Sequence, residues 1–194
     1  INAAARVGGI LVNKNFPYEF LLDNMQIQNN LISSAHDLNT SKFIFLGSSC
    51  IYPRLSLQPI KENYLLTNSL EPTNEYYAIA KISGLKLCEA IRKQFNKDFV
   101  SLMPCNLYGP EDNFNLETSH VIPALIQKFH KAKICSEKTV QIWGTGKPLR
   151  EFLHVQDLCR AIILIMQETN TNKILKSGIP WINIGSSDEI SRRI

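Results

Sequence analysis

A doubly wound α/β fold, a parallel sheet with helices on both faces, is what this sequence predicts. Two observations predict it. Segments with apolar residues at helical spacing alternate along the chain with short apolar runs. Those runs are hydrophobic throughout instead of alternating, the pattern of strands buried on both faces.

The elements follow in order. Residues 17–38 carry Phe20, Leu21, Met25, Leu31, Ile32 and Ala35 at the spacing of one helix face. A strand is predicted at 42–47, then a long polar loop at 53–75. The next helix, 76–95, sets Ala78, Ile82, Leu85 and Cys88 or Glu89 on successive turns. A buried strand at 99–103 ends at Pro104. Beyond Tyr108-Gly109-Pro110 the character changes. A polar loop leads to a helix at 119–133, a strand at 140–143, and a turn marked by Gly144 and Gly146. A strand around 152–155, a helix at 156–167 and a strand at 181–184 complete the reading.

Ligands of open α/β sheets gather where loops leave the carboxyl ends of strands. Three segments rich in small or polar residues sit there: Gly47-Ser48-Ser49-Cys50, Pro104-Cys105-Asn106-Leu107 and Ala3-Ala4-Ala5.

Composition narrows the function classes. The chain has 194 residues, enough for one domain with a sizeable core or for part of a two-domain protein. Its formal charge of +4 suits an anionic small molecule such as a nucleotide diphosphate. The basic residues are scattered and form no aromatic-interleaved stripe, so nucleic acid is not expected as a partner. Five cysteines, an odd count with no C-x-x-C pair, read as reduced thiols of a cytoplasmic protein. Neither a disulfide scaffold nor a metal site is expected. The longest pure apolar run, 161–166, is far too short to cross a bilayer, so no membrane partner is expected. The chain starts at Ile1 and stops where a new helix could begin, and both ends read as cuts.

Tyr77-x-x-x-Lys81 places a phenol and an ammonium on one helix face. A nearby cation favours phenolate, so Lys81 is expected to lower the Tyr77 pKa. Alone the pattern is weak, and its bland reading is a solvated lysine beside a half-buried tyrosine. If the chain stays extended after Gly47, Ser48 and Cys50 point to the same side and face one substrate. Taken singly, Cys50 reads as a buried structural cysteine.

Together these residues and the architecture resemble the sugar-nucleotide branch of the extended short-chain dehydrogenase/reductase superfamily. Its serine, tyrosine and lysine map onto Ser48, Tyr77 and Lys81, with Ser49 as the alternative hydroxyl and Tyr76 the alternative phenol. The resemblance narrows with Gly47-Ser48-Ser49-Cys50-Ile51-Tyr52-Pro53, Asn106-Leu107-Tyr108-Gly109-Pro110 and Ser119-His120-Val121-Ile122-Pro123. Trp143-Gly144-Thr145-Gly146 and Arg150-Glu151-Phe152-Leu153-His154-Val155 complete the ordered set. That set resembles the GDP-L-fucose synthase family over nearly the whole chain.

The resemblance implies a Rossmann-like doubly wound sheet lacking its first strands, with part of a smaller α/β substrate domain. Residues 1–115 would be the C-terminal part of the NADP-binding domain. Residues 116–194 would be a partial substrate domain with segments returning to the sheet. It implies 3,5-epimerisation of a GDP-4-keto-6-deoxy-D-mannose substrate, then reduction at C4 by NADPH. Cys50 and His120 would be the acid/base pair, both being residue types that titrate near neutrality. Ser48 and Tyr77 would hold the oxygen of an enolate, with Lys81 assisting Tyr77.

Leu46, Gly47, Ser48, Ser49, Lys81, Pro104, Cys105, Asn106, Leu107 and His120 would line the cofactor. Ala3, Ala4 and Ala5, with Gly8 and Gly9, resemble the segment where cofactor passes close to backbone. Lys128, Trp143 and Arg150 would contact the GDP-sugar, arginine through forked bonds to diphosphate. His36, His130 and His154 lack comparable support. A homodimer formed through the helices flanking the sheet is implied. The nine glycines form neither G-x-G-x-x-G nor G-x-x-G-x-x-G, so the pyrophosphate cradle is not expected among these residues. The alternatives are a related NAD(P)-dependent sugar-nucleotide epimerase or dehydratase, and a truncated non-catalytic remnant. Cys50 with His120 discriminates against the first, and cofactor titration separates the second from an enzyme.

Overall fold

The computed structural model describes residues 1–142, 149–167, 171 and 178–187, and the backbone of 189–191. The elements run α1 (Ile10–Asn15), α2 (Pro17–Asp37), β1 (Lys42–Leu46), α3 (Glu75–Phe95), β2 (Asp98–Pro104) and β3 (Asn106–Tyr108). They continue with α4 (Val121–Ile134), β4 (Leu149–His154), α5 (Val155–Gln167), β5 (Trp181–Ile184) and β6 (Glu189–Ser191).

β1, β2 and β5 form a parallel sheet in that order. Asn2 adds a parallel bridge to the other edge of β1, opposite Phe45. Register puts Phe43 beside Phe99 and Ile44 beside Val100. Because side chains alternate across a strand, these pairs serve opposite faces. Phe43, Phe45, Phe99 and Met103 pack under α2 and α3 against Ile32, Ile82, Leu85 and Ile91. Ile44, Val100 and Leu102 pack against Leu158, Ile162 and Ile165 of α5 and Leu153 of β4. Helices therefore cover both faces, as the continuous apolar runs predict. Each large side chain so buried contributes roughly 1.5–3 kcal/mol.

Charges pin the amino ends of the same strands. Asp98 accepts from Arg92 at 2.8 Å and pairs with Lys42 at 3.3 Å. Lys42 also donates to the carbonyl of Ile165 at 2.8 Å, fastening α5. α3 ends on Asn96 in the left-handed region, φ 52°, a conformation asparagine tolerates.

After β2 the chain steps sideways into a second sheet of order β3, β4, β6. β3 and β4 are parallel, while β4 and β6 are antiparallel. β5 then returns the chain to the first sheet beside β2. One strand expectation fails: Val140, Gln141 and Ile142 lie in no strand. Among the described residues they have no ladder partner, and strand preference without a partner does not hold a strand. Trp143, Gly144 and Gly146 lie outside the described residues. Among the described residues, no helix is long and apolar enough to cross a membrane.

Candidate active site

The parallel ladders continue past the strand ends. Gly47 N–H donates to the Leu102 carbonyl at 2.8 Å, and Cys105 N–H donates to the Ile184 carbonyl at 3.0 Å. Two of the segments singled out in the sequence are thereby brought to one edge. Gly47 lies close under Met103: a Cβ there would meet the Met103 sulfur at 2.4 Å, so the tip of that side chain would have to move. A cleft of about 890 Å³ opens at this edge. Gly47, Ser48, Ser49, Cys50 and Tyr77 line it, with Pro104, Cys105, Asn106, Leu107, His120, Lys128 and Arg150.

Ser48 is extended, at φ −161° and ψ 148°, but the chain then folds into one 3₁₀ turn from Ser49 to Ile51. The expectation that alternation aligns Ser48 with Cys50 is therefore corrected. The turn brings them together by another route. Cys50 N–H donates to Ser48 Oγ at 3.4 Å, and the Ser48 side chain hydrogen-bonds the thiol. Burial pushes the Cys50 thiol up to about 11, against the Ser48 hydrogen bond and the Lys81 charge. The near-neutral titration expected of it is corrected as well: at pH 7 the group carries its proton.

Tyr77 and Lys81 share a face of α3, yet the ammonium does not seek the phenol. Lys81 Nζ donates to the Leu46 carbonyl at 2.8 Å and stands 4.9 Å from the Phe45 ring centre and 5.7 Å from that of Tyr77. Burial, with the charge of Cys50, pushes the Tyr77 phenol above its ordinary range. The expected lowering by Lys81 is thus overturned. The reason is that Lys81 is itself buried, and burial brings its pKa down to about 8. Of the two adjacent tyrosines, Tyr77 lines the cleft and packs edge-on against Phe20, whereas Tyr76 is 46% exposed.

His120 occupies the N-cap position of α4 with no side-chain cap bond. Its imidazole lines the cleft and is not spent on capping. Lys128, two turns further, donates to the Gln141 carbonyl at 3.2 Å. Arg150 lies on β4, whose next residue is moored by Asn106: its amide donates to the Glu151 carbonyl at 3.0 Å. Leu46 and Lys81 sit behind the lining, joined to each other. Trp143 lies outside the described residues. Gly8 and Gly9 reach the cleft wall, while Ala3, Ala4 and Ala5 are not part of the lining.

Sequence reasoning passed over several residues of this wall, Asn13, Tyr52 and Asn74 among them. Asn13, 8% exposed on α1, donates to the carbonyls of Gly8 at 2.8 Å and Gly9 at 3.1 Å. Tyr52 and Asn74 line the cleft from the loop before α3. The adjacent Gly8-Gly9 was the one available signal for Asn13. Tyr52 stood within a quoted motif but carried no role.

The fold and the cleft define a Rossmann-like α/β protein with its ligand site at the carboxyl ends of parallel strands. The model of the NAD dependent epimerase/dehydratase family matches residues 1–185, and the chain belongs to that family. It is similar to GDP-L-fucose synthase 1 of Arabidopsis thaliana, 53% identical over 193 residues, 100% of this chain and 58% of that protein. GDP-L-fucose synthase of Escherichia coli K12 is 53% identical over 165 residues, 85% of this chain and 51% of that one. The chain thus spans a little over half the length of the curated relatives it matches. Among solved structures, a GDP-L-fucose synthetase from Naegleria fowleri bound to NADP superposes with TM-score 0.80 at 33% identity, covering 97% of this chain and 60% of that one. A GDP-D-glycero-L-gluco-heptose synthase from Campylobacter jejuni, solved in the presence of NADPH, gives 0.90 at 34%, covering 98% and 65%.

Proposed function

We propose that this chain carries the active site of a GDP-L-fucose synthase, which epimerises GDP-4-keto-6-deoxy-D-mannose at C3 and C5 and reduces it at C4. The observation that carries the reading is the convergence of Ser48, Cys50, Tyr77 and His120 on one cleft. The names and identities of its relatives support the same activity.

The donor set fits a nicotinamide cofactor. A buried ammonium, Lys81, stands behind the end of β1, with the Ser48 and Tyr77 hydroxyls nearby and Asn106 on the neighbouring loop. Lys81, Gly47 and the loop of Pro104, Cys105, Asn106 and Leu107 would hold the nicotinamide and its ribose. NADPH, when bound, supplies the hydride for C4.

The side chains divide the proton chemistry. Removing a proton beside the C4 ketone leaves an enolate, and hydroxyl donors at its oxygen stabilise the developing charge. Ser48 and Tyr77 supply those donors. Cys50, protonated at neutral pH because it is buried, has a proton to deliver to carbon. His120 lies at the exposed rim, where it can exchange protons with solvent. The Tyr77 phenol, kept neutral by burial, donates to the C4 oxygen during reduction. Arg150 and Lys128 give the cleft the positive charge that a diphosphate needs. Residues 1–115 serve the cofactor and most of the chemistry, while residues from 116 onward contribute His120 and the substrate contacts. A homodimer working in the cytoplasm, with its five thiols free, completes the reading.

The test is product analysis. The chain, completed to the length of its relatives, is incubated with GDP-4-keto-6-deoxy-D-mannose and NADPH. GDP-L-fucose is the expected product. A 4-reduced sugar unchanged at C3 and C5 would overturn the epimerase half.

A further inference from the structure

Immediately after the turn that carries Cys50, the chain is tied to a strand more than a hundred residues away. The Tyr52 hydroxyl donates to Asn183 Oδ1 at 2.5 Å, and Tyr52 is only 4% exposed. Asn183 has its other polar groups engaged as well. Its backbone N–H donates to Glu62 Oε1 at 3.0 Å, and its Nδ2 donates to the Ile60 carbonyl at 3.1 Å. Trp181, two residues earlier on the same face of β5, donates from Nε1 to the Glu62 carbonyl at 3.2 Å. The loop before α3, strand β5 and Tyr52 thus form one hydrogen-bonded unit.

Tyr52 closes the turn directly, its N–H donating to the Ser49 carbonyl at 3.3 Å. Ile51, fully buried, anchors the turn from the core side. The hydrogen bonds inside a three-residue 3₁₀ turn are few and poor and do not fix its orientation strongly. Beyond the Ile51 anchor, the orientation is set by what flanks the turn. On one flank Gly47 is held by the β1–β2 ladder; on the other, Tyr52 is held by Asn183.

We propose that Asn183 and Glu62 are positioning residues that act through the Tyr52 phenol to fix the turn carrying Cys50. Its consequence for catalysis rests on the reading of Cys50 as a proton carrier, but the brace itself does not. Proton transfer needs its donor within hydrogen-bond reach of carbon, so a loosened turn costs rate even when the thiol is intact.

Site-resolved alkylation of the 194-residue chain with iodoacetamide, followed by mass spectrometry, tests the brace. Cys88, 1% exposed in α3, reports loosening of the whole core. Tyr52→Phe and Asn183→Leu are expected to speed Cys50 alkylation about tenfold, the factor that loss of one buried hydrogen bond puts on a local opening equilibrium, with Cys88 unchanged. Glu62→Gln keeps an oxygen acceptor for the Asn183 N–H and should react like the parent, whereas Glu62→Ala should speed Cys50. Unchanged Cys50 rates in Tyr52→Phe, Asn183→Leu and Glu62→Ala overturn the proposal. If Cys88 quickens along with Cys50 in the first two variants, the Glu62 pair decides: Cys50 faster than Cys88 in Glu62→Ala alone supports the brace, and equal behaviour of the two Glu62 variants overturns it. Proton exchange that survives Cys50→Ser would remove the role given to Cys50 and leave the labelling result standing.

Discussion

Lys81 spends its ammonium on the Leu46 carbonyl, 2.8 Å away, and this bond joins the middle of one helix face to the end of the strand that delivers Gly47 and Ser48. Burial brings its pKa from 10.5 to about 8. Between those two values the unfolded chain holds a proton that the folded chain has lost, so this group makes stability rise with pH there. Below about 8 the cost of burying the charge is fully present. Urea unfolding of the chain and of Lys81→Met from pH 7 to 10 should therefore show the parent gaining on the variant above pH 8, by at most about 1.4 kcal/mol per pH unit. A difference that stays constant across that range contradicts the assignment.

Gly9 meets the segment that carries His120. Its N–H donates to the Thr118 carbonyl at 3.1 Å, and a Cβ on it would lie 2.8 Å from the Ser119 carbonyl oxygen. The obstacle is backbone, which cannot swing aside as a side-chain tip can. Gly9→Ala is expected to destabilise the chain by about 1–2 kcal/mol, the usual cost of overpacking. A urea midpoint equal to the parent's would show that the two segments part easily.

Asp98 supplies the acid-side prediction. Burial pushes its carboxyl up, but hydrogen bonds from Thr171 and Arg92 and the charges of Lys42 and Arg92 outweigh burial and hold it below the usual range. A depressed carboxyl pKa contributes stability above its unfolded value, roughly 4, that is lost as pH falls through the folded value. Asp98→Asn should cost about 2 kcal/mol at pH 7, since it removes the charge from the acceptor that Arg92 and Lys42 share. The gap should close as the pH falls below about 4. Circular dichroism along an acid titration measures both.

What the sequence made legible divides along physical lines. α2, α3 and α5 and strands β1, β2 and β5 announce themselves because each buries a periodic or continuous apolar set. α1 has six residues, no side-chain cap and a glycine before it, so local signals for it are weak. β3 is three residues long and exists only because β4 lies beside it. The cleft was legible as a set of residues and less so as chemistry. Spacing places Lys81 on the face of Tyr77, but Leu46, the acceptor that takes its proton donor, lies 35 positions away in sequence. Likewise, alternation presumes extended backbone, and the turn at Ser49 ends it.

Of the adjacent Tyr76 and Tyr77 it is Tyr77 that lines the cleft, so Tyr77→Phe in the completed protein should lower reduction at least ~100-fold, the range for one positioned proton donor. Tyr76→Phe should leave the rate near the parent's, because that side chain faces solvent. Loss of NADPH oxidation in the Tyr76 variant, with Tyr77→Phe unaffected, would exchange the two assignments.

We propose that Cys50 and His120 move protons at carbon before reduction occurs. Deuterium uptake from heavy water at C3 and C5 of GDP-4-keto-6-deoxy-D-mannose measures this step without the reductive one. In the completed protein, Cys50→Ser and His120→Gln should each slow uptake by at least ~100-fold while leaving the fold unchanged by circular dichroism. Uptake at the parent's rate in both variants would contradict the claim.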